Sequence, residues 1–151
     1  RSSTQCSVRG ASYKTWYTSR MKGYTANIET LTLENTLFRK VLYTGKHIQL
    51  VLMSIPVGEE IGMEVHELDQ FIRVEAGEGT AVLDGVEHPL TDGSVVVIPE
   101  GMQHNVINTS SEAPLKLYSI YGPPEHKDGT VHETKAIAEA HEEHFDGVTT
   151  E

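Results

Sequence analysis

Cysteine is all but missing: among 151 residues there is one, Cys6. No internal disulfide can staple the chain, and beyond the first twenty residues neither thiol catalysis nor a thiolate zinc site is available. Long apolar runs are missing too. None approaches the roughly 20 residues that a helix needs to cross a bilayer. Basic residues are scarce, with 12 Lys plus Arg against 22 Asp plus Glu and a formal net charge of −10. A surface this acidic repels phosphate backbones and anionic lipid, which argues against nucleic-acid and membrane partners. No G-x-S-x-G elbow and no Walker-type phosphate loop occurs. Hydrophobic residues, at 38%, are spread along the chain. Together with the length, they suit one compact, soluble domain, and a cytoplasmic location is expected.

The charge is unevenly placed. Residues 1–20 hold Arg1, Arg9, Lys14 and Arg20 but no acid, leaving eight basic and 22 acidic residues from Met21 onward. An Arg- and Ser-rich, acid-free stretch has the composition of an organellar transit segment. With no apolar period in it, we read it instead as a leader ahead of a start at Met21, either non-native or disordered. The folded body is then a single domain over 21–151, with its strands over about 24–121 and a tail over 122–151.

Within that body the pattern is β. Leu31 and Leu33 alternate with Thr30 and Thr32, predicting a half-buried strand over 28–33. Residues 36–43 suit a short helix or a strand equally. His47 to Ile55 is apolar on both parities, as in a strand covered on both faces. Further β-like runs follow at 63–67, 70–75, 79–84, 94–98, 103–108 and 115–121, punctuated by Gly and Pro. Asp84-Gly85 is a two-residue hairpin signal, and Gly77-Glu78-Gly79 reads as another hairpin turn. Short strands at this spacing predict a sandwich or barrel. After Gly122-Pro123-Pro124, residues 125–133 read as a polar loop, and Thr134 caps a weakly amphipathic helix over 135–145.

Two clusters carry chemistry. Between Gly58 and Gly77, Glu64 and His66 stand at i and i+2, so on a strand they share a face; Gln70 can return to that face from the next strand. Between Gly93 and Asn108 lies His104. Two imidazoles and one carboxylate are the donor set of a facial triad, which leaves positions open for substrate or oxygen.

These clusters resemble the paired motifs of the cupin superfamily, G-x5-H-x-H-x3,4-E-x6-G and G-x5-P-x-G-x2-H-x3-N. The second is matched throughout, at Gly93, Pro99, Gly101, His104 and Asn108. The first is matched at Gly58, His66 and Gly77, with Glu64 in place of its first His and Gln70 in place of its Glu. The resemblance implies an all-β, RmlC-like jelly roll (a double-stranded β-helix) with a metal in its mouth. Carried over by position, Glu64, His66, Gln70 and His104 are the metal ligands. The carboxylate has moved to the first position, and a neutral amide takes the place of the usual Glu. A mixed N/O set of this kind accepts Fe, Mn, Ni, Co or Zn.

The remaining polar residues have plainer readings. Glu60, Glu67, Asp69 and Glu75 suit a solvated acidic rim. His88 suits the surface, and His141 and His144 a polar helix. Tyr118 and Tyr121 are candidate pocket hydroxyls, Tyr118 being the candidate catalytic group. The function expected is that of a metal-dependent enzyme, of dioxygenase, isomerase or lyase type, acting on a small oxygenated molecule. The alternatives are a mannose-6-phosphate isomerase-like sugar isomerase or epimerase and a non-catalytic binding barrel. A sugar phosphate would need Arg39, Lys40, Lys46, Arg73 or Lys116 to hold it. Resemblance to cupins also implies a homodimer, paired through barrel edges or swapped terminal segments.

Overall fold

In a computed structural model that describes residues 22–151, the first element is a helix, α1 (Ile28–Glu34), where the Leu/Thr alternation predicted a strand. Asn27 explains the difference. Its side chain accepts the Thr30 N–H at 3.0 Å, satisfying one of the first-turn donors that a helix leaves open. The Thr32 hydroxyl then donates to the Ile28 carbonyl at 2.7 Å. Burial runs opposite to the strand expectation, with Thr32 wholly buried and Leu33 43% exposed. The leader expected over 1–20 lies outside the described residues.

The strands follow as β1 (Arg39–Thr44), β2 (Gln49–Ile55), β3 (Asp69–Ala76), β4 (Gly79–Leu83), β5 (Val86–Leu90), β6 (Val95–Ile98), β7 (His104–Asn108), β8 (Leu115–Gly122) and the short β9 (Val131–His132). One sheet has the order β6-β3-β8-β2-β1-β9 and the other β5-β4-β7. Every named pairing is antiparallel. The two sheets make a jelly-roll fold, as expected. Val51, Met53, Ile55, Ile72, Val74, Leu115 and Leu117 from the larger sheet share one apolar cluster with Ala81, Leu90 and Val106 from the smaller. Each fully buried aliphatic side chain of this kind stabilises the fold by about 1.5–3 kcal/mol. β2, apolar on both parities, lies inside the larger sheet between β8 and β1 and is buried almost throughout.

Turn chemistry fixes the connections. Asp84 and Gly85 both take positive φ (46° and 80°), the twist a two-residue hairpin needs, and Leu83 pairs with Val86 across it. Gly77 and Gly79 differ from the expected hairpin: they join β3 of one sheet to β4 of the other, so they form a corner between sheets. A Cβ at Gly79 would stand 2.6 Å from the Ile107 carbonyl oxygen, closer than any side chain tolerates.

The tail is more ordered into the fold than a polar loop would be. β9 pairs with β1, placing His132 opposite Arg39. Thr134 caps the last helix as expected, accepting from Ile137 N–H at 3.3 Å. That helix, α2 (Lys135–Ala140), is shorter than the 135–145 span expected, because the chain leaves helical geometry at His141. Ala138 is its buried contact.

Candidate metal centre

Residues 63–67 do not form the strand their alternation predicted, and the irregularity positions the site. From Glu59 to Glu64 the chain runs along β7 as a broken edge. The Asn108 N–H donates to Glu59 O at 2.9 Å, and Ile61 N–H donates to Val106 O at 2.9 Å. Gly62, at a φ of 111° that few other residues adopt, gives its N–H to the Asn105 side chain at 2.9 Å. The run ends in a reciprocal pair: Glu64 N–H to His104 O at 2.8 Å and His104 N–H to Glu64 O at 2.9 Å. Glu64 and His104, 40 positions apart in sequence, are thereby directly opposed. His66 is fixed next, through its carbonyl, which accepts from Gly101 N–H at 2.9 Å.

The result brings three of the expected ligands together. One ligand atom each from Glu64, His66 and His104 lies within 4.8 Å of the other two, a group able to hold a metal ion. His66 Nε2 is 3.2 Å and His104 Nε2 3.8 Å from Glu64 Oε2. His104 Nδ1 lies 2.9 Å from the Met102 carbonyl. A carbonyl only accepts, so Nδ1 carries a proton, and Nε2 is the nitrogen left to offer a lone pair. That Nε2 is buried and has no hydrogen-bond partner among the described residues. For His66, desolvation works to lower the pKa, but the hydrogen bond to Glu64 and the charges of Glu64 and Glu125 outweigh it, and the net shift is upward.

Gln70, the fourth expected donor, is buried on β3 opposite Tyr121 of β8. Its amide donates to Ser119 Oγ at 2.9 Å, which leaves the carbonyl Oε1 as another buried acceptor without a partner. The Tyr121 ring meets the His66 ring edge-on at 5.8 Å, so Gln70 and the triad share one side of the β3/β8 pair. Tyr118 does not. Burial on β8 alternates strictly, and Tyr118, out of phase with Ser119 and Tyr121, packs instead on Phe71 at 6.3 Å. The hydroxyls that β8 turns toward the site are those of Ser119 and Tyr121, a correction to the expectation for Tyr118. Burial raises the Tyr121 pKa, so its hydroxyl stays protonated.

Several residues around the triad were not legible as site residues. Gln49, wholly buried on β2, clamps the returning tail: its Oε1 accepts from His126 N–H at 2.9 Å and its Nε2 donates to His126 O at 2.6 Å. This holds Glu125, whose carboxylate is 3.9 Å from His66 Nδ1, and His126, whose ring meets Tyr121 edge-on at 5.1 Å. Burial, reinforced by the Arg39 charge, pushes the His126 pKa down to about 2 and lowers that of His132. The available signal was the density of histidine after Pro124, where four of the eight stand. Of the others, His88, His141 and His144 are exposed, as expected. His144 Nδ1 reaches Glu125 at 3.2 Å. Glu75 is not part of a solvated rim: it is buried, 3.5 Å from Arg73.

A family model described as a cupin domain matches residues 51–121, the span that contains both clusters. The chain is 45% identical over 150 residues to YrkC of Bacillus subtilis, covering 89% of this chain and 80% of that protein. It is 42% identical over 112 residues to a protein of Acanthamoeba polyphaga mimivirus, covering 72% of this chain and 70% of the relative. A crystal structure of a Bacillus halodurans protein superposes with a TM-score of 0.77 at 50% identity, covering 80% of this chain and 96% of that one. Motifs, jelly roll and family model agree, and the chain belongs to the cupin superfamily.

Proposed function

We propose that this cupin is a mononuclear metal-dependent enzyme acting on a small oxygenated molecule, with Glu64, His66, Gln70 and His104 as its metal ligands. The observation that carries the reading is His104 Nε2. A buried imidazole lone pair without a partner costs on the order of 1–3 kcal/mol, and this one is aimed at a carboxylate and a second imidazole. The orphaned Gln70 carbonyl repeats the pattern with an oxygen donor. One carboxylate, two imidazoles and an amide oxygen suit Fe, Mn, Ni, Co or Zn. A bound ion of this kind supplies Lewis-acid polarisation of a substrate oxygen at its open positions. The protein's part is to hold the donors in register through the Glu64–His104 backbone pair, to fix the His104 tautomer through Met102, and to keep a protonated Tyr121 beside His66.

The sugar-phosphate alternative draws less support. Arg73 is engaged by Glu75, and the Lys116 ammonium donates to the Asn35 carbonyl. Of the basic residues expected to hold a phosphate, Arg39 is the one that lines a cavity with Glu64.

Elemental analysis of untagged protein tests the reading. We expect about one equivalent of a transition metal, lost in the His66→Ala/His104→Ala double variant. Gln70→Ala should weaken binding less than His104→Ala, because water replaces a neutral amide, and Gln70→Glu should tighten it. Stoichiometric metal retained in the double variant, or none in wild type after anaerobic reconstitution with Fe, Mn, Ni and Zn, refutes the assignment.

A further inference from the structure

Arg39 is the outlier of the interior. Its side chain starts from β1, is 7% exposed, and among the described residues makes neither a side-chain hydrogen bond nor an ion pair; its Nε is buried and unpartnered. The guanidinium cannot lose its charge, and holding a charge largely out of water without an anion beside it is costly. The Phe38 ring, 5.6 Å away, offsets part of that cost through a cation–π contact. It does not supply an anion.

The surroundings indicate what would. Arg39 lines a cavity of about 70 Å³ together with Phe38, Ile61, Glu64, Lys135 and the α2 region. Its neighbours across β1 and behind Tyr121 repeat the deficit: His132 Nδ1 and His126 Nε2 are both buried without partners. None of the cavity's own acids forms an ion pair with the guanidinium. Glu139 pairs with Lys135 at 3.7 Å, and Glu142 reaches His144 at 4.0 Å, both with exposed carboxylates. Glu64 belongs to the triad. A planar fork of donors beside polar atoms lacking partners matches a carboxylate, which takes two parallel N–H bonds. The cavity has room for a head group of that size.

We propose that Arg39 is the anchor for a carboxylate group of the substrate, held beside Glu64 of the triad in the cavity that both residues line. This deepens the metal-enzyme reading and rests on it for the word substrate, but the anchor is testable without a metal. A carboxylate gripped at Arg39 presents its neighbouring oxygenated carbon toward the triad, which narrows the small oxygenated molecule to a carboxylic acid.

The test uses the full chain, stripped of metal by a chelator, titrated with acetate, oxalate or inorganic phosphate at matched ionic strength and followed by calorimetry and thermal melting. Wild type should bind acetate or oxalate saturably. Arg39→Met should weaken that binding by on the order of tenfold to a hundredfold, while its ligand-free melting temperature equals or exceeds that of wild type. Arg39→Lys, which keeps the charge but not the fork, should fall between them and serves if the Met variant does not fold. Carboxylate binding unchanged in both variants, no saturable carboxylate binding by wild type, or binding of phosphate alone would overturn the proposal. Metal titration of the same samples is read separately. Loss of metal binding with an Arg39-dependent carboxylate site refutes only the metal reading, and the converse refutes only this one.

Discussion

Single side chains divide here into those that the sequence marks by spacing and those that the fold marks by burial. Glu64, His66 and His104 are legible because an i, i+2 pair and a second spaced cluster resemble the paired cupin motifs. Arg39, Gln49, His126 and His132 are not, because their role comes from pairings between chain ends, such as Arg39 with His132 across β1 and β9. A histidine in a polar stretch gives no warning that it will be buried. His126 makes this measurable. Its pKa falls from an ordinary 6.5 to about 2, so the unfolded chain takes up a proton that the folded chain refuses. Stability is therefore intact above pH 6.5 and is lost as pH falls from there toward 2, by up to about 1.4 kcal/mol per pH unit. His132, shifted the same way, adds to the slope. Chemical denaturation of metal-free protein between pH 7 and 4 should show the decline, and His126→Asn should flatten it. A variant as steep as wild type would remove His126 from the account.

At the scale of elements, the legible strands are those bounded by turns whose chemistry is local. Asp84-Gly85 announces its hairpin because only a few residues accept positive φ at both positions. Two elements depart from their sequence pattern for the same reason: alternation of apolar and polar residues says nothing about which hydrogen bonds the backbone will find. Asn27 diverts 28–34 into a helix. Gly62 and the bonds to β7 replace the strand expected over 63–67 with a broken edge over 59–64, the irregularity that brings Glu64 opposite His104. The Gly77–Gly79 pattern is that of a turn, but the turn passes between sheets. Its glycines are therefore set by what lies against them: a Cβ at Gly79 meets the Ile107 carbonyl oxygen at 2.6 Å and Leu115 Cδ2 at 2.8 Å. Gly79→Ala must push β4 from β7 or displace a core leucine, and we expect a loss of about 1–3 kcal/mol by denaturant titration. Gly85→Ala tests a different cause, since its φ is positive but nothing lies within 4 Å; its smaller cost is backbone strain alone. Equal costs would mean that the corner has room to give.

For the molecule as a whole, what matters is where the proposed ligands sit. His104 belongs to the three-stranded sheet, Gln70 to the six-stranded one, and Glu64 and His66 to the segment between β2 and β3 that runs along β7. An ion held by all four ties the two sheets together. Ligand binding at such a place stabilises the whole chain against global unfolding rather than one local unit. At a free metal concentration a hundredfold above Kd the gain is about 2.7 kcal/mol, a rise in melting temperature on the order of 10 °C for a chain of this size. It should appear in the unfolding of the whole chain as one transition shifted upward, and His104→Ala should abolish it. Hydrogen exchange separates this from local tightening. Amides of β3 and of β7 should gain protection together when metal is added, because each sheet contributes a donor. Protection confined to residues 59–66, with β3 unchanged, would mean that Gln70 takes no part and that the amide is kept for another bond.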